Sequence, residues 1–135
     1  MTNAVYPKAK ELMLGAGLNL LAGTVKAQLV DLAAYTYSAA HQYLTDLPSG
    51  ARVGAAVTLS GKSITDGIFD AADATWSGLS AAPSIEALVL FVDTGVEATS
   101  PLVLYIDTAT GLPIASGAIG GTVAWDNGAN KILAV

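Results

Sequence analysis

The sequence predicts a mainly β protein: an antiparallel β-sandwich or barrel of about seven strands, with a short N-terminal helix and a second short helix. Three observations lead there. Beyond residue 24 most segments carry apolar residues at period two or in short β-branched runs. Turn signals built from Gly, Pro, Asn and Asp separate these segments every ~8 to 12 residues. No helical pattern alternates with them, as a parallel βαβ arrangement would require. At 135 residues the chain has the size of one domain, 1–135. Residues 1–23 read as an N-terminal arm and helix, and 24–135 as the β domain with a helix inserted at 38–47.

Each element has a local reason. In PKAKELMLGAG, Pro7 suits a first helical position, where its missing N–H costs nothing, and Ala9, Leu12, Met13 and Ala16 recur at helical spacing. Gly15 and Gly17 each cost about 1 kcal/mol against Ala inside a helix, so the helix should end there. TVKAQLVDL, 24–32, places Val25, Ala27 and Leu29 on one face and Lys26 and Gln28 on the other, the pattern of a half-buried strand. Ser38 can cap the second helix, which Pro48 and Gly50 end. RVGAAVTLSG alternates, with Val53, Ala55, Val57 and Leu59 inward. The following segment carries Ile64 and Ile68, then Ala72, Ala74 and Trp76, with a break expected near Ala71 to Asp73. EALVLFVD (86–93) and PLVLYID (101–107) are near-continuous apolar runs, expected at the centre of a sheet with both faces buried. TVAW and KILAV flank Asp126-Asn127-Gly128-Ala129-Asn130, whose Asn-Gly is a hairpin signal.

Composition narrows the function classes. Hydrophobic residues make up 53% of the chain and charged ones 13%, about half the usual share. A small domain with so little charge is expected to have part of its surface covered by a partner. The 6 basic residues are scattered singly in a chain of net charge −5, so no stripe exists to displace counterions from nucleic acid. No run approaches the ~18 apolar residues of a membrane helix, and no secretory leader pattern is visible at the N-terminus. The absence of cysteine removes thiol chemistry and disulfides and suggests folding in the cytoplasm.

Asp93-Thr94-Gly95 after Phe91-Val92 resembles the active-site triplet of dimeric aspartic proteases. There, two carboxylates share a proton in tightly braced loops. A small residue normally follows the Gly, whereas Val96 stands here, and Ala118-Ile119-Gly120 is a poor echo of the bracing segment. Asp-Thr recurs at Asp107-Thr108, and both pairs suit strand ends, where side-chain oxygens accept bonds from a turning backbone. Residues 94–100 therefore read as the connection of a hairpin. Asp66, Asp70 and Asp73 lack the alternate spacing and terminal Glu of a calcium loop. His41 is the only histidine and has neither a nucleophile elbow nor a second His beside it. No catalytic, cofactor-binding or metal site is expected. Trp76 and Trp125 could line a sugar-binding face but suit a β core better. The tyrosines want water or a partner for their hydroxyls, so Tyr6, Tyr35, Tyr37 and Tyr43 are the interface candidates, with Ile132 and Val135 at the low-charge C-terminus.

Several stretches carry a family resemblance: Tyr-Pro-Lys at 6–8, LNLLAGTVKAQLVD at 18–31, YTYSAAHQYL at 35–44, IDTATGLP at 106–113 and WDNGANKI at 125–132. In these the chain resembles small structural proteins of tailed bacteriophages, over nearly its whole length. The resemblance implies a virion component without enzymatic activity, present in many copies. The expectation is a capsid decoration (cement) protein that binds the major capsid protein and itself, with no cofactor, nucleic acid or membrane. The alternatives are a tail tube, adaptor or fibre-associated subunit, a host-surface carbohydrate-binding module, and the acid protease.

Overall fold

A computed structural model describes residues 3–79, 85–115, 117, 119–125 and 132–134. In chain order the elements are β1 (Ala4–Val5), α1 (Pro7–Leu14), β2 (Thr24–Val30), β3 (Arg52–Thr58), β4 (Ser63–Thr65), β5 (Ile68–Asp70), β6 (Ala74–Trp76), β7 (Ala87–Asp93), β8 (Leu102–Ile106), β9 (Gly121–Val123) and β10 (Leu133–Ala134). The protein is mainly β and every described strand pair is antiparallel. A five-stranded sheet has the order β1-β8-β7-β2-β3; a three-stranded sheet (β10-β5-β4) and a two-stranded one (β6-β9) accompany it.

The apolar runs at 86–93 and 101–107 become β7 and β8, inside the large sheet as expected. Their alternating side chains feed two cores. Leu88 and Leu90 face the small sheets and meet Phe69, Trp76, Val123 and Trp125. Ala87, Val89 and Phe91 face the opposite side and meet Tyr6, Ala9, Tyr35, Leu44 and Leu47. The small sheets therefore form a second β layer over one face, while α1 and the segment 31–51 cover the other.

That second cover corrects the half-buried reading of β2, where Gln28 and Val30 are buried along with Val25, Ala27 and Leu29. Gln28 tolerates burial because β3 is bulged opposite it. Ala27 pairs with Val57 and Leu29 with Val53, so one residue of β2 faces three of β3. The Gln28 amide nitrogen donates to the carbonyls of Leu29, Val53 and Gly54, each at 3.1 Å. Two extra residues preserve parity, so Val53 and Val57 still point inward, while Ala55 is pushed out into solvent.

The helix ends at Gly15, as its glycines predict. The second helix, expected over 38–47, forms only a 3-10 turn at Leu44–Asp46. The backbone there bonds elsewhere. Leu44 N–H donates to the Ser100 carbonyl, and the Gln42 carbonyl accepts from Leu102 N–H. The Asp46 carboxylate takes the N–H groups of Gln42 and Tyr43 at 2.8 and 3.2 Å, which holds its pKa below the usual carboxylate range. Strand-like pairing with 100–102 and a side-chain acceptor replace the bonds a helix would make.

The break at Ala71–Asp73 is where the sequence places it, between β5 and β6. A tight hairpin at Asp66–Gly67, both at positive φ, joins β4 to β5. Phe69, between Ile64 and Trp76 in sequence, is the core residue of that hairpin. The Asn-Gly turn at 126–130 lies outside the described residues. The strands flanking it do not pair with each other: β9 pairs with β6, and β10 with β5.

Candidate functional site

Asp93 is a hairpin cap. It ends β7, its Oδ1 accepts the Gly95 N–H at 2.8 Å, and its Oδ2 meets Lys26 Nζ at 2.7 Å. The ammonium of Lys26 first, and the Gly95 N–H second, hold its pKa below the ordinary carboxylate value. Thr94 and Ser100 close the connection, with the Ser100 hydroxyl donating to the Val96 carbonyl at 2.8 Å. The linkage sign follows from the depressed pKa. The pair adds stability above the unfolded carboxylate value of about 4 and loses it as pH falls through the lower folded value. Both groups are partly exposed, so Asp93→Asn should cost under about 1 kcal/mol and flatten the stability profile below pH ~4, checked by urea denaturation across pH.

The tyrosine candidates divide. Tyr6, 0% exposed, and Tyr35 are core residues of this chain, which corrects their expected place at a subunit interface. Their hydroxyls satisfy each other at 2.8 Å, and Tyr35 reaches His41 Nδ1 at 2.8 Å, so the partner they require is internal. Tyr37 is half-buried, its ring 5.1 Å from Tyr6 and 5.3 Å from Tyr105. Tyr43 is half-buried beside Pro101. Ile132 packs against the core and donates its N–H to Phe69. Val135 lies outside the described residues. Burial raises the pKa of Tyr6, Tyr35 and Tyr105, the last to about 12.

Trp76 and Trp125 are also core, so neither ring is presented as a sugar platform. The Trp125 indole N–H donates to the Ala72 carbonyl at 2.9 Å. Asp73 accepts the Trp125 backbone N–H at 3.0 Å, which explains one of the three clustered carboxylates as a strand-to-strand tie. Asp66 and Asp70 line a shallow hollow of about 230 Å³ with Ser63, Thr65 and Ile68. Among the described residues, no group of three or more His, Cys, Asp or Glu side chains is placed to hold a metal ion. No described helix is long and apolar enough to cross a membrane.

What the molecule does present is apolar. Leu14 is 91% exposed and Ile119 76%, with Val96, Leu21 and Ile64 about half-exposed. Thr24 pairs with Asp93, so the loop before β2 and the loop after β7 lie at the same end of the large sheet. Leu21 and Val96 sit in those two loops, and Leu14 ends the helix that opens into the first. Sequence reasoning missed them because isolated apolar residues in loops belong to no period that would set them apart from core.

Arg52 was also unmarked. Its guanidinium donates to the carbonyls of Leu44 and Leu47, each at 2.8 Å through Nη2, and meets Glu97 at 2.9 Å. It pins the 42–51 segment and the 94–100 hairpin loop together beneath the sheet.

The chain matches no protein-family model and no curated protein.

Proposed function

We propose that this protein is a non-enzymatic structural component of a tailed-phage virion, a capsid decoration protein that binds the major capsid protein and stabilises the expanded head. One observation supports it most directly: Leu14, Leu21 and Val96 stand uncovered around one end of the sheet, on a chain with only 13% charged residues. Uncovered large apolar side chains at one end of the sheet support a docking face there. The polar groups that suggested chemistry, Asp93 and His41, are engaged in capping a turn and in a partly buried hydrogen bond with Tyr35. The resemblance in sequence to small phage structural proteins supplies the partner.

The mechanism is linkage. A protein that binds only the expanded shell stabilises it by about 1.4 kcal/mol for each decade of concentration above Kd. Repetition over many identical sites makes modest affinity sufficient. A tail tube or adaptor subunit is the second reading, favoured by β3, which ends the five-stranded sheet, since such subunits join by extending sheets.

Cosedimentation with expanded heads lacking the protein, and separately with tails, distinguishes the two. Saturable head binding and raised heat resistance are expected, both lost in a Leu14→Glu, Leu21→Glu, Val96→Glu variant that keeps its fold. Binding to tails alone would sink the decoration reading.

A further inference from the structure

We propose that the open edge of β4 is a self-association site, at which two copies of this chain pair Ser63–Thr65 antiparallel about a two-fold axis centred on Ile64. The inference does not rest on the virion reading.

β4 is the last strand of its sheet. The two-residue turn Asp66–Gly67 has φ of 53° and 76°, so the flanking Thr65 and Ile68 exchange the hairpin's hydrogen bonds. Pairs alternate along an antiparallel ladder, so Ile64 and Phe69, the next pair, do not bond each other. Phe69 confirms this by turning its carbonyl to Ile132 N–H on the far side, at 3.2 Å. The Ile64 N–H and C=O therefore point outward, and no described residue meets them. In an antiparallel pair centred there, two copies exchange both bonds.

The side chains are self-complementary. Ile64 lies on the same face as the buried Phe69, yet is 47% exposed, so the inner apolar layer runs out at this strand without a cover. A second copy sets Ile64 against Ile64 and continues that layer. On the other face Ser63 comes opposite Thr65, a hydroxyl pair favoured across strands. The paired positions carry no charge, and the residues flanking them are Lys62 and Asp66. Antiparallel pairing brings Lys62 of each copy opposite Asp66 of the other, whereas parallel pairing in register would set like charges together. Within its own chain the Lys62 ammonium donates to the Leu20 and Gly23 carbonyls. The contact is short, hence weak in dilute solution and effective where copies are crowded. It is also closed, because a two-fold pair leaves no β4 edge from which a ring could grow.

The chain has no cysteine, so one introduced thiol reports directly. Opposed Cβ atoms about 4.5–5.5 Å apart reach disulfide distance with a small shift. Under mild oxidation Ile64→Cys should give severalfold more disulfide-linked dimer than Val96→Cys, an exposed apolar position away from the edge. The unmodified chain should sediment faster as its concentration rises towards about 1 mM, and Ile64→Lys should abolish that rise. Equal cross-linking at the two positions, or a wild-type sedimentation coefficient constant to about 1 mM, overturns the proposal.

Discussion

Above pH 10 the protein is expected to lose stability steeply and unfold in one cooperative step. Tyr6, Tyr35 and Tyr105 are buried, and burial is the first cause of the raised pKa of each. In the unfolded chain they titrate near the ordinary value of about 10. A raised folded pKa means that the folded state keeps its proton after the unfolded state has released it. The stabilising contribution is complete below pH ~10 and disappears as pH climbs through the folded values, about 12 for Tyr105 and higher for Tyr6. Tyr6 and Tyr105 each remove about 1.4 kcal/mol per pH unit in that window, about 3 together, and Tyr35 adds to the loss in the same direction. A reserve of about 5–15 kcal/mol is then exhausted within a few pH units. Phenolate absorbance from the buried rings should appear together with loss of near-ultraviolet circular dichroism. In Tyr6→Phe the slope should fall. Titration of all tyrosines near pH 10 with the fold intact would show the cluster to be open to solvent.

Arg52→Ala should destabilise the domain by about 2–4 kcal/mol and lower Tm by roughly 10 °C. The guanidinium supplies the Leu47 carbonyl with two donors, Nε and Nη2, and the Leu44 carbonyl with one. Leu44 keeps the Leu47 N–H when the side chain is lost, whereas the Leu47 carbonyl, on a fully buried residue, loses both side-chain donors. Arg52→Lys should recover only part of the loss, because an ammonium does not reproduce the planar fork. Glu97→Gln is the informative contrast. Arg52 lowers the Glu97 pKa, but that carboxylate is in solvent, and its removal should leave thermal stability unchanged. Calorimetry on the three variants separates carbonyl anchoring from a surface ion pair. Equal effects for Arg52→Ala and Glu97→Gln would assign the stability to the pair instead.

These results also bear on how docking should be probed. Replacing Tyr35 tests the fold before it tests an interface, because its ring is internal and its hydroxyl links Tyr6 to His41. Leu14, Leu21 and Val96 are the positions where substitution reads out binding alone.

Local chemistry was legible in the sequence. Pro7 and Gly15 bracket α1, the break between β5 and β6 falls at Ala71–Asp73, and Asp93 with Thr94 closes the hairpin between β7 and β8. These features depend on neighbours a few residues away, and the side chains that satisfy them are adjacent in the chain. The absence of cysteine, the scattered basic residues and the low charge are likewise properties of the sequence alone. The tertiary structure decided which faces are covered and which strands meet. Gln28 reads as a solvent-facing residue until the bulge in β3 brings three carbonyls to its amide. The helix at 38–47 is plausible until residues 100–102 claim its backbone. β1 finds β8 across most of the chain length, and β10 finds β5 across about half of it. Tyr6 and Tyr35 show the limit most clearly. A tyrosine needs a polar partner for its hydroxyl, but only the folded chain determines whether that partner is water, another protein, or a second tyrosine 29 residues away.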